Sequence, residues 1–336
     1  MKNFKQNWIL YLILGGLLIV AINKIIKSVN TPSKEIPIII TNDGWTAPSL
    51  FTDHMLKGEE RSLVIYGEDL IANTSKYLGP NGSVAHITNG MNCQNCHLNA
   101  GKKKWGNNYG GVSSNYPKFR DRSGSIETVY KRVSDCMERS LNGSSLDSNN
   151  REMKAMIAYI KWVGYEVPKD STPKGTGIAP PTYIDRAASP EKGLLVYNAK
   201  CQSCHAANGE GLLAADKKSY TYPPLWGANS YNNGAGLFRL SRLAGYVRDN
   251  MPLNLSSHES PALTDEECWD VAAFVNSRPR PSKDLSSDWP NVSKKPIDHP
   301  FGPYTDGFGE TEHKFGPFKP IIEARKKKQD IKNKKI

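Results

Sequence analysis

The sequence predicts an all-α fold with long loops, in which two tandem domains of one plan follow an N-terminal membrane helix. Three observations support this prediction. Apolar residues recur with helical spacing, strand-like alternation is weak throughout, and two segments repeat the same order of motifs. A length of 336 residues is enough for two modest domains with tails.

The N-terminal stretch is apolar over residues 8–22 and is flanked by lysines. Its length lies between a signal-peptide core and a full membrane span, and Lys24 can snorkel if the span extends to Ile26. No A-x-A cleavage site follows. We therefore expect an uncleaved anchor at 1–27 rather than a cleaved signal, and an exported chain in either case.

The formal net charge of +11 suggests a nucleic-acid-binding protein, but the distribution of the charge argues against one. Most of the excess lies in the lysines of residues 1–30 and in the basic end at 325–336. The body between them is near neutral and lacks the broad basic face that phosphate binding needs. We expect no nucleic-acid partner.

Changes in composition indicate the domain boundaries. A Pro/Gly-rich linker separates the two repeated segments, and sequence of little periodicity follows the second. Residues 325–336 are expected to be disordered because they are rich in lysine. The expected parts are an anchor at 1–27, a lead-in segment at 28–57, a first domain at 58–168, a linker at 169–185, a second domain at 186–282, a strap at 283–320 and a basic tail at 321–336.

Local signals indicate where helices of the repeated segments begin. The closing helix of the first segment is expected at 151–164. In the second segment, Ser189 is the expected N-cap of the opening helix and Pro190 its first residue. Thr264 and Glu267 are expected to form a capping box at the start of its closing helix.

Each segment contains one C-x-x-C-H sequence, CQNCH at 93–97 and CQSCH at 201–205. This is the attachment motif of c-type haem, in which two thiols one helical turn apart bond the porphyrin and the next histidine lies beneath the iron. A redox C-x-x-C or a zinc site would not explain a histidine at the same place twice. The sequence predicts two cytochrome c-like domains with two covalently bound haem c groups. The attaching cysteines are Cys93, Cys96, Cys201 and Cys204, and the proximal iron ligands are His97 and His205.

The two domains differ in the candidate ligand for the sixth coordination position of the iron. In the second, Met251 precedes a proline ahead of the closing helix, which favours a His/Met haem, with a core methionine as the alternative. In the first, Cys136 stands at a comparable place, and Met137 and Met91 are other candidate ligands. Cys136 could instead be an inert buried thiol or form a disulfide with Cys268.

Arginines cluster around Cys136 in the sequence. Arg132 and Arg139 flank it, and Arg120 and Arg122 lie a little upstream. Cationic neighbours favour a thiolate, and guanidinium groups bind dianions with bidentate geometry. A solvated loop is the alternative for Arg120 and Arg122. We expect a ligating or reactive thiol within an anion-binding site.

These motifs together resemble the dihaem thiosulfate dehydrogenases, which form tetrathionate and in some members run in reverse. The resemblance covers about residues 60–320. It rests on NGMNCQNCHLNAG, YPKFRDRSGSI and RVSDCMERSLNG in the first domain, and on CQSCHAANGEG, YVRDNMP and PFGPYTDGF after it. The N-terminal anchor and the lysine-rich end depart from the soluble members of that family.

The resemblance implies an axial ligand pair for each haem. His97 and Cys136 would ligate the first, catalytic haem, and His205 and Met251 the second, from which electrons leave. The arginines would hold the sulfonate oxygens of the substrate. The implied catalytic residues are Cys136, Arg122, Arg132 and, as a weaker candidate, Ser140.

The expected reaction joins two thiosulfate ions into tetrathionate. We expect Cys136 to leave the iron and form a transient sulfur–sulfur bond with one thiosulfate, which the second then attacks. Electrons would pass from the first haem to the second and on to a cytochrome or similar acceptor. The expected location is the periplasmic side of the inner membrane, or the soluble periplasm if the N-terminal helix is cleaved.

Two alternatives remain at this point. One is a non-catalytic dihaem electron-transfer cytochrome at the membrane surface. The other is a sulfur-oxidation cytochrome that conjugates thiosulfate to a carrier protein.

Overall fold

The computed structural model describes residues 44–50 and 56–333. The expected anchor at 1–27 and most of the lead-in segment lie outside the described residues. Among the helices of the described ranges, none combines the length and the apolar character that a bilayer span requires.

The first half is built around the crossing of its first and last long helices, α1 and α6. A Cβ atom at Gly67 of α1 would lie 2.1 Å from the carbonyl oxygen of Ala155 in α6, so only glycine permits this close approach. Leu70, Met153 and Tyr159 are fully buried in the core around the crossing. The helices of this half are α1 (Gly58–Ala72), α2 (Thr74–Leu78), α3 (Leu98–Gly101), α4 (Val112–Asn115), α5 (Val129–Arg139) and α6 (Arg151–Val163).

The second half repeats the same crossing with α7 and α10. A Cβ atom at Gly193 of α7 would lie 1.9 Å from the carbonyl oxygen of Asp270 in α10. The repeat expected from the order of motifs is therefore present in the packing. The helices of this half are α7 (Pro190–Lys200), α8 (Gln202–His205), α9 (Leu240–Asn250) and α10 (Asp265–Ser277).

The caps predicted for the second half are confirmed. The hydroxyl of Ser189 accepts a hydrogen bond from the backbone of Lys192 at 3.2 Å, and Pro190 is the first helical residue. The Thr264 backbone donates to the Glu267 carboxylate at 2.8 Å, and the Glu267 backbone donates to the Thr264 hydroxyl at 3.2 Å. These bonds satisfy amides that the start of a helix leaves without partners.

The protein is mostly helical, but the expectation of an all-α fold missed two antiparallel hairpins. In the first half β1 (Lys118–Arg120) pairs with β2 (Ser125–Glu127), and in the second half β3 (Leu212–Leu213) pairs with β4 (Tyr220–Tyr222). Strands of this length are too short for alternation to be visible in the sequence.

The C-terminal region after the second half contains α11 (Glu310–Phe315) and α12 (Phe318–Asn333). The prediction of disorder from residue 325 is wrong as far as Asn333. The disorder was predicted from the lysine content of the end of α12. The start of the same helix carries Phe318 and Ile321, which are buried in the second core. Arg325 also pairs with Asp306, with 2.6 Å between Nε and Oδ2.

The segment expected to form a strap contacts both halves. Asp288 accepts two hydrogen bonds of 2.8 Å from Arg139 of α5. Asp298 accepts a hydrogen bond of 2.9 Å from Nε of Arg239, the residue before α9. The segment therefore connects the helix that carries Cys136 with the start of the corresponding helix in the other half.

Candidate active site

The first C-x-x-C-H motif borders a cavity of about 370 Å³. Cys93, Cys96 and His97 line it from the loop before α3, and Cys136 lines it from α5. The ring of Tyr109 stacks on His97, with 4.6 Å between ring centroids. The fold thus brings Cys136 into the same cavity as the first motif.

The second motif borders a separate cavity of about 450 Å³. It is lined by Cys201, Cys204 and His205 and by Met251, which follows the end of α9. The backbone amide of Met251 donates to Val247 at 2.8 Å and so holds the residue against the helix end. The structure therefore brings Met251 into one cavity with the second motif.

Both motif histidines are oriented in the same way. Nδ1 of His97 hydrogen-bonds the carbonyl oxygen of Asn107, and Nδ1 of His205 that of Pro223 at 2.9 Å. A carbonyl only accepts, so Nδ1 carries the proton and the lone pair of Nε2 is free for a metal. Burial lowers the pKa of His97 to about 4 and also lowers that of His205, which favours the neutral imidazole.

These residues fit a covalently bound haem c in each half. Each cavity presents two unbridged thiols of one motif and a neutral imidazole with a free Nε2. In the first half, Gly101 adopts a positive φ of 80°, and a Cβ there would lie 2.1 Å from the Tyr109 ring. Glycine is needed for the loop after the motif to approach the ring that stacks on His97.

The alternatives for Cys136 can now be compared with the structure. Cys268 is fully buried within α10, and neither thiol is bridged, so the disulfide is absent. Cys136 is partly exposed and lines a cavity, so it is not a fully buried core thiol. Met137 lines the same cavity but also packs in the first core. Met91 lines both cavities and lies between them.

A cationic recess of about 290 Å³ adjoins the first cavity. The two spaces share Cys96, His97, Cys136 and Ser140 as lining residues. The recess is lined by arginines from both halves of the chain. They are Arg120, Arg122, Arg132, Arg239 and Arg242.

The predicted arginines of the first half differ in their partners. Arg122 forms an ion pair with Asp135 of α5. The side chain of Arg132 has no ion pair or hydrogen bond within the described part of the chain. The Coulombic interaction with Cys136 is the largest contribution that raises the pKa of Arg132. Burial lowers the pKa of Arg122, and the nearby Arg139 and Arg132 lower it further, which shows that like charges crowd this space.

The second half and the strap also contribute to this recess, which the sequence alone did not predict. Arg239 and Arg242 come from the start of α9, and His299 comes from the strap. One signal was present in the repeat: α9 carries an arginine in its first turn, as α5 does with Arg132. No signal indicated His299, because only the path of the strap brings it there.

Comparisons with known proteins agree with this arrangement. Residues 83–168 match the family model "SoxA/TsdA, cytochrome c domain", and residues 190–279 match "Cytochrome c". The two matches show that each half is a cytochrome c domain and that the chain carries two covalently bound haem c groups. A solved structure of thiosulfate dehydrogenase (TsdBA) from Marichromatium purpuratum is similar, with a TM-score of 0.64 and 29% identity over 72% of this chain and 50% of that one.

Curated relatives are similar over the same region. A thiosulfate dehydrogenase of Psychrobacter arcticus is 34% identical over 61% of this chain, which spans 62% of that protein's length. A thiosulfate dehydrogenase of Allochromatium vinosum is 38% identical over 58% of this chain and 72% of its own length. With that identity across nearly three quarters of the Allochromatium vinosum protein, the chain belongs to the thiosulfate dehydrogenase family of dihaem cytochromes.

Proposed function

We propose that the protein couples two thiosulfate ions into one tetrathionate ion and releases two electrons. The observation that carries this proposal is the position of Cys136, which lies between the first haem cavity and a recess lined by arginines. A nucleophilic thiol beside unpaired cations suits a substrate that is a dianion with a nucleophilic sulfur.

Each cavity contains two residues that would hold a haem iron. His97 and Cys136 would hold the iron of the first haem, attached through Cys93 and Cys96. In the second half, His205 and Met251 would do the same for the haem attached through the cysteines of CQSCH. When bound, the two haem c groups accept the electrons one at a time and pass them to a cytochrome-type acceptor.

The arginines reduce the repulsion between the substrates. Two thiosulfate ions bring four negative charges into one site, and these charges interact more strongly in a partly dehydrated recess than in water. Arg132, which has no carboxylate partner among the described residues, would bind the sulfonate of the first thiosulfate. Arg122 is held by Asp135 at the recess wall, and Ser140 offers a hydroxyl donor from the end of α5.

Cys136 would act as the nucleophilic group in two steps. Its thiolate forms a bond with the terminal sulfur of one thiosulfate, and two electrons leave, which gives a Cys–S–S–SO₃⁻ adduct. The terminal sulfur of the second thiosulfate attacks the outer sulfur of that disulfide bond. Tetrathionate is formed and the thiolate of Cys136 is released, so atoms and charges balance.

The test is tetrathionate formation by the purified, fully haem-loaded protein with thiosulfate and ferricyanide as the only other reactants. Tetrathionate formed at a rate proportional to enzyme concentration supports the proposal. An electron-transfer cytochrome would form none. A cytochrome that conjugates thiosulfate to a carrier protein would form product only after that carrier is added.

We also propose that residues 1–27 anchor the protein on the periplasmic side of the inner membrane. The support is the lysine-flanked apolar stretch at 8–22, together with haem attachment motifs. Cell fractionation tests this. Recovery of the protein in the washed membrane fraction supports an anchor, whereas recovery in the soluble periplasm with a new N-terminus supports cleavage.

A further inference from the structure

Arg242 belongs to the second half of the chain, yet its side chain lines the cavity of the first. It stands in the first turn of α9 and borders both the cationic recess and the space that contains Cys136. Among the described residues, its guanidinium group makes no hydrogen bond and no ion pair. Its donors are therefore available to a ligand that enters from the recess.

The carboxylates near Arg242 are already paired with other arginines. Asp298 accepts from Arg239 and also from the hydroxyl and backbone of Ser241. Asp288, which lines the recess from the strap, accepts both of its hydrogen bonds from Arg139. The positive charge of Arg242 is therefore not neutralised by the acids around it.

The net effect of the groups around Arg242 disfavours its positive charge. Partial desolvation lowers the pKa of Arg242, and the adjacent Arg239 lowers it further. Asp298 and Tyr183 raise it, Arg120 lowers it to a smaller extent, and the sum lies below the usual value. Arg120 itself has a long contact of 3.8 Å with Glu127 and donates a hydrogen bond of 3.5 Å to the Tyr116 hydroxyl. A site with this balance attracts an anion and does not attract a cation.

Arg132 and Arg242 are thus the two recess arginines without partners in the described ranges, and they come from opposite halves of the chain. Tetrathionate has one sulfonate at each end. We infer that Arg242 forms a second sulfonate subsite, which binds the thiosulfate that attacks the Cys136 adduct and then holds the far end of tetrathionate. This inference rests on the proposed function and assigns the second substrate to a residue of the other domain.

Two inert sulfonates test this subsite without turnover. Ethane-1,2-disulfonate carries two sulfonates joined by two atoms, as tetrathionate does, whereas methanesulfonate carries one. Their binding to the oxidised, haem-loaded protein is measured by isothermal titration calorimetry. We expect Arg242→Gln to weaken the disulfonate by about tenfold or more, since a hydrogen bond to a charged group is lost, and to change the tighter methanesulfonate site by less than about twofold.

Three further variants make the measurement specific. Arg132→Gln should weaken both ligands, because the first subsite is lost. Arg242→Lys should recover part of the disulfonate affinity, because it keeps the charge. Arg151→Gln, an exposed arginine at the start of α6 and away from the recess, should change neither.

The inference is overturned if Arg242→Gln leaves the affinity for the disulfonate unchanged, or if it weakens both ligands equally. Turnover of thiosulfate by the unmodified protein is measured separately. A protein that binds the disulfonate through Arg242 but forms no tetrathionate would contradict the proposed function and leave the subsite intact. A protein that forms tetrathionate, but whose affinity for the disulfonate is unchanged by Arg242→Gln, would contradict the subsite and leave the proposed function intact.

Discussion

The two halves share a scaffold but differ in the residue that α5 or the end of α9 brings to the haem cavity. Each crosses its first and last long helices at a glycine, Gly67 in one and Gly193 in the other, and each turns its histidine Nδ1 to a backbone carbonyl. In the first half that residue is Cys136, which also borders the cationic recess. In the second half it is Met251, in a cavity with mostly apolar and aromatic walls. One scaffold thus surrounds its two haem cavities with different side chains and different charge.

The largest expected effect comes from replacing those two residues. Cys136→Ala should lower kcat by about a thousandfold or more, because the sulfur that forms the adduct is lost. Met251→Ala should lower kcat far less and leave KM for thiosulfate unchanged, since Met251 lines neither the recess nor the cavity that contains Cys136. Steady-state kinetics with ferricyanide measure both, and pyridine haemochrome spectra check that both haems are attached.

Cys268→Ala is the matched control for this pair, because Cys268 is buried in the second half and lines neither haem cavity nor the recess. It should keep near-normal turnover. Near-normal turnover of Cys136→Ala, with both haems attached, would contradict the proposal that the first half carries the reacting sulfur and the second half only passes electrons.

The next effect concerns the arginines of the first half. Arg122→Ala combined with Arg132→Ala should raise KM for thiosulfate by about a hundredfold, because two charge-assisted contacts to the dianion are lost. Initial rates over a wide range of thiosulfate concentrations measure this. An unchanged KM would show that neither arginine binds thiosulfate.

Substitution of the two glycines tests whether both helix crossings contribute equally to the stability of the fold. Gly67→Ala and Gly193→Ala should each destabilise the fold by about 1–3 kcal/mol, because the added Cβ would collide with a backbone carbonyl. Thermal unfolding of the haem-loaded variants measures this. A loss of stability in only one of them would show that the two halves tolerate helix separation differently.

The smallest expected effect is a pH dependence of the free energy of unfolding, which comes from Asp135 in the first half. Burial opposes ionisation of Asp135, but Lys131 and Arg122 outweigh it and lower the pKa of the carboxyl below 3.8. A lowered folded-state pKa stabilises the fold above the unfolded value, and this contribution is lost as the pH falls below about 3.8. Asp135→Asn should therefore be less stable than the unmodified protein by about 1 kcal/mol at pH 7, because weaker neutral hydrogen bonds replace those to the carboxylate.

The difference in stability should shrink as the pH falls from about 5 to about 2, which unfolding in urea at several pH values can measure. A difference of constant size across that range would show that the ion pair of Asp135 is not its cause.

Sequence reasoning was reliable where a feature depends on neighbouring residues. The caps at Ser189 and Thr264 and the two C-x-x-C-H motifs are local patterns with one physical explanation each. It failed where distant segments meet. Arg242 and His299 reach the recess only because α9 and the strap fold against the first half, and no local pattern encodes that contact.

The basic end shows a second kind of failure. Lysines at the end of α12 gave a composition typical of disorder, but helix formation there depends on Phe318 and Ile321, which lie at its start. Two buried side chains fix the first turns, and the remaining turns continue from them. Composition averaged over a segment cannot show which few residues anchor it.

Met91 lies in the wall that the two haem cavities have in common. The two metal environments are therefore not independent, because a polar or smaller side chain at this position alters the dielectric and the water access of both at once. A substitution at Met91 is therefore expected to shift the reduction potentials of both haems together. One buried side chain that borders both cavities thus links the surroundings of the two cofactors.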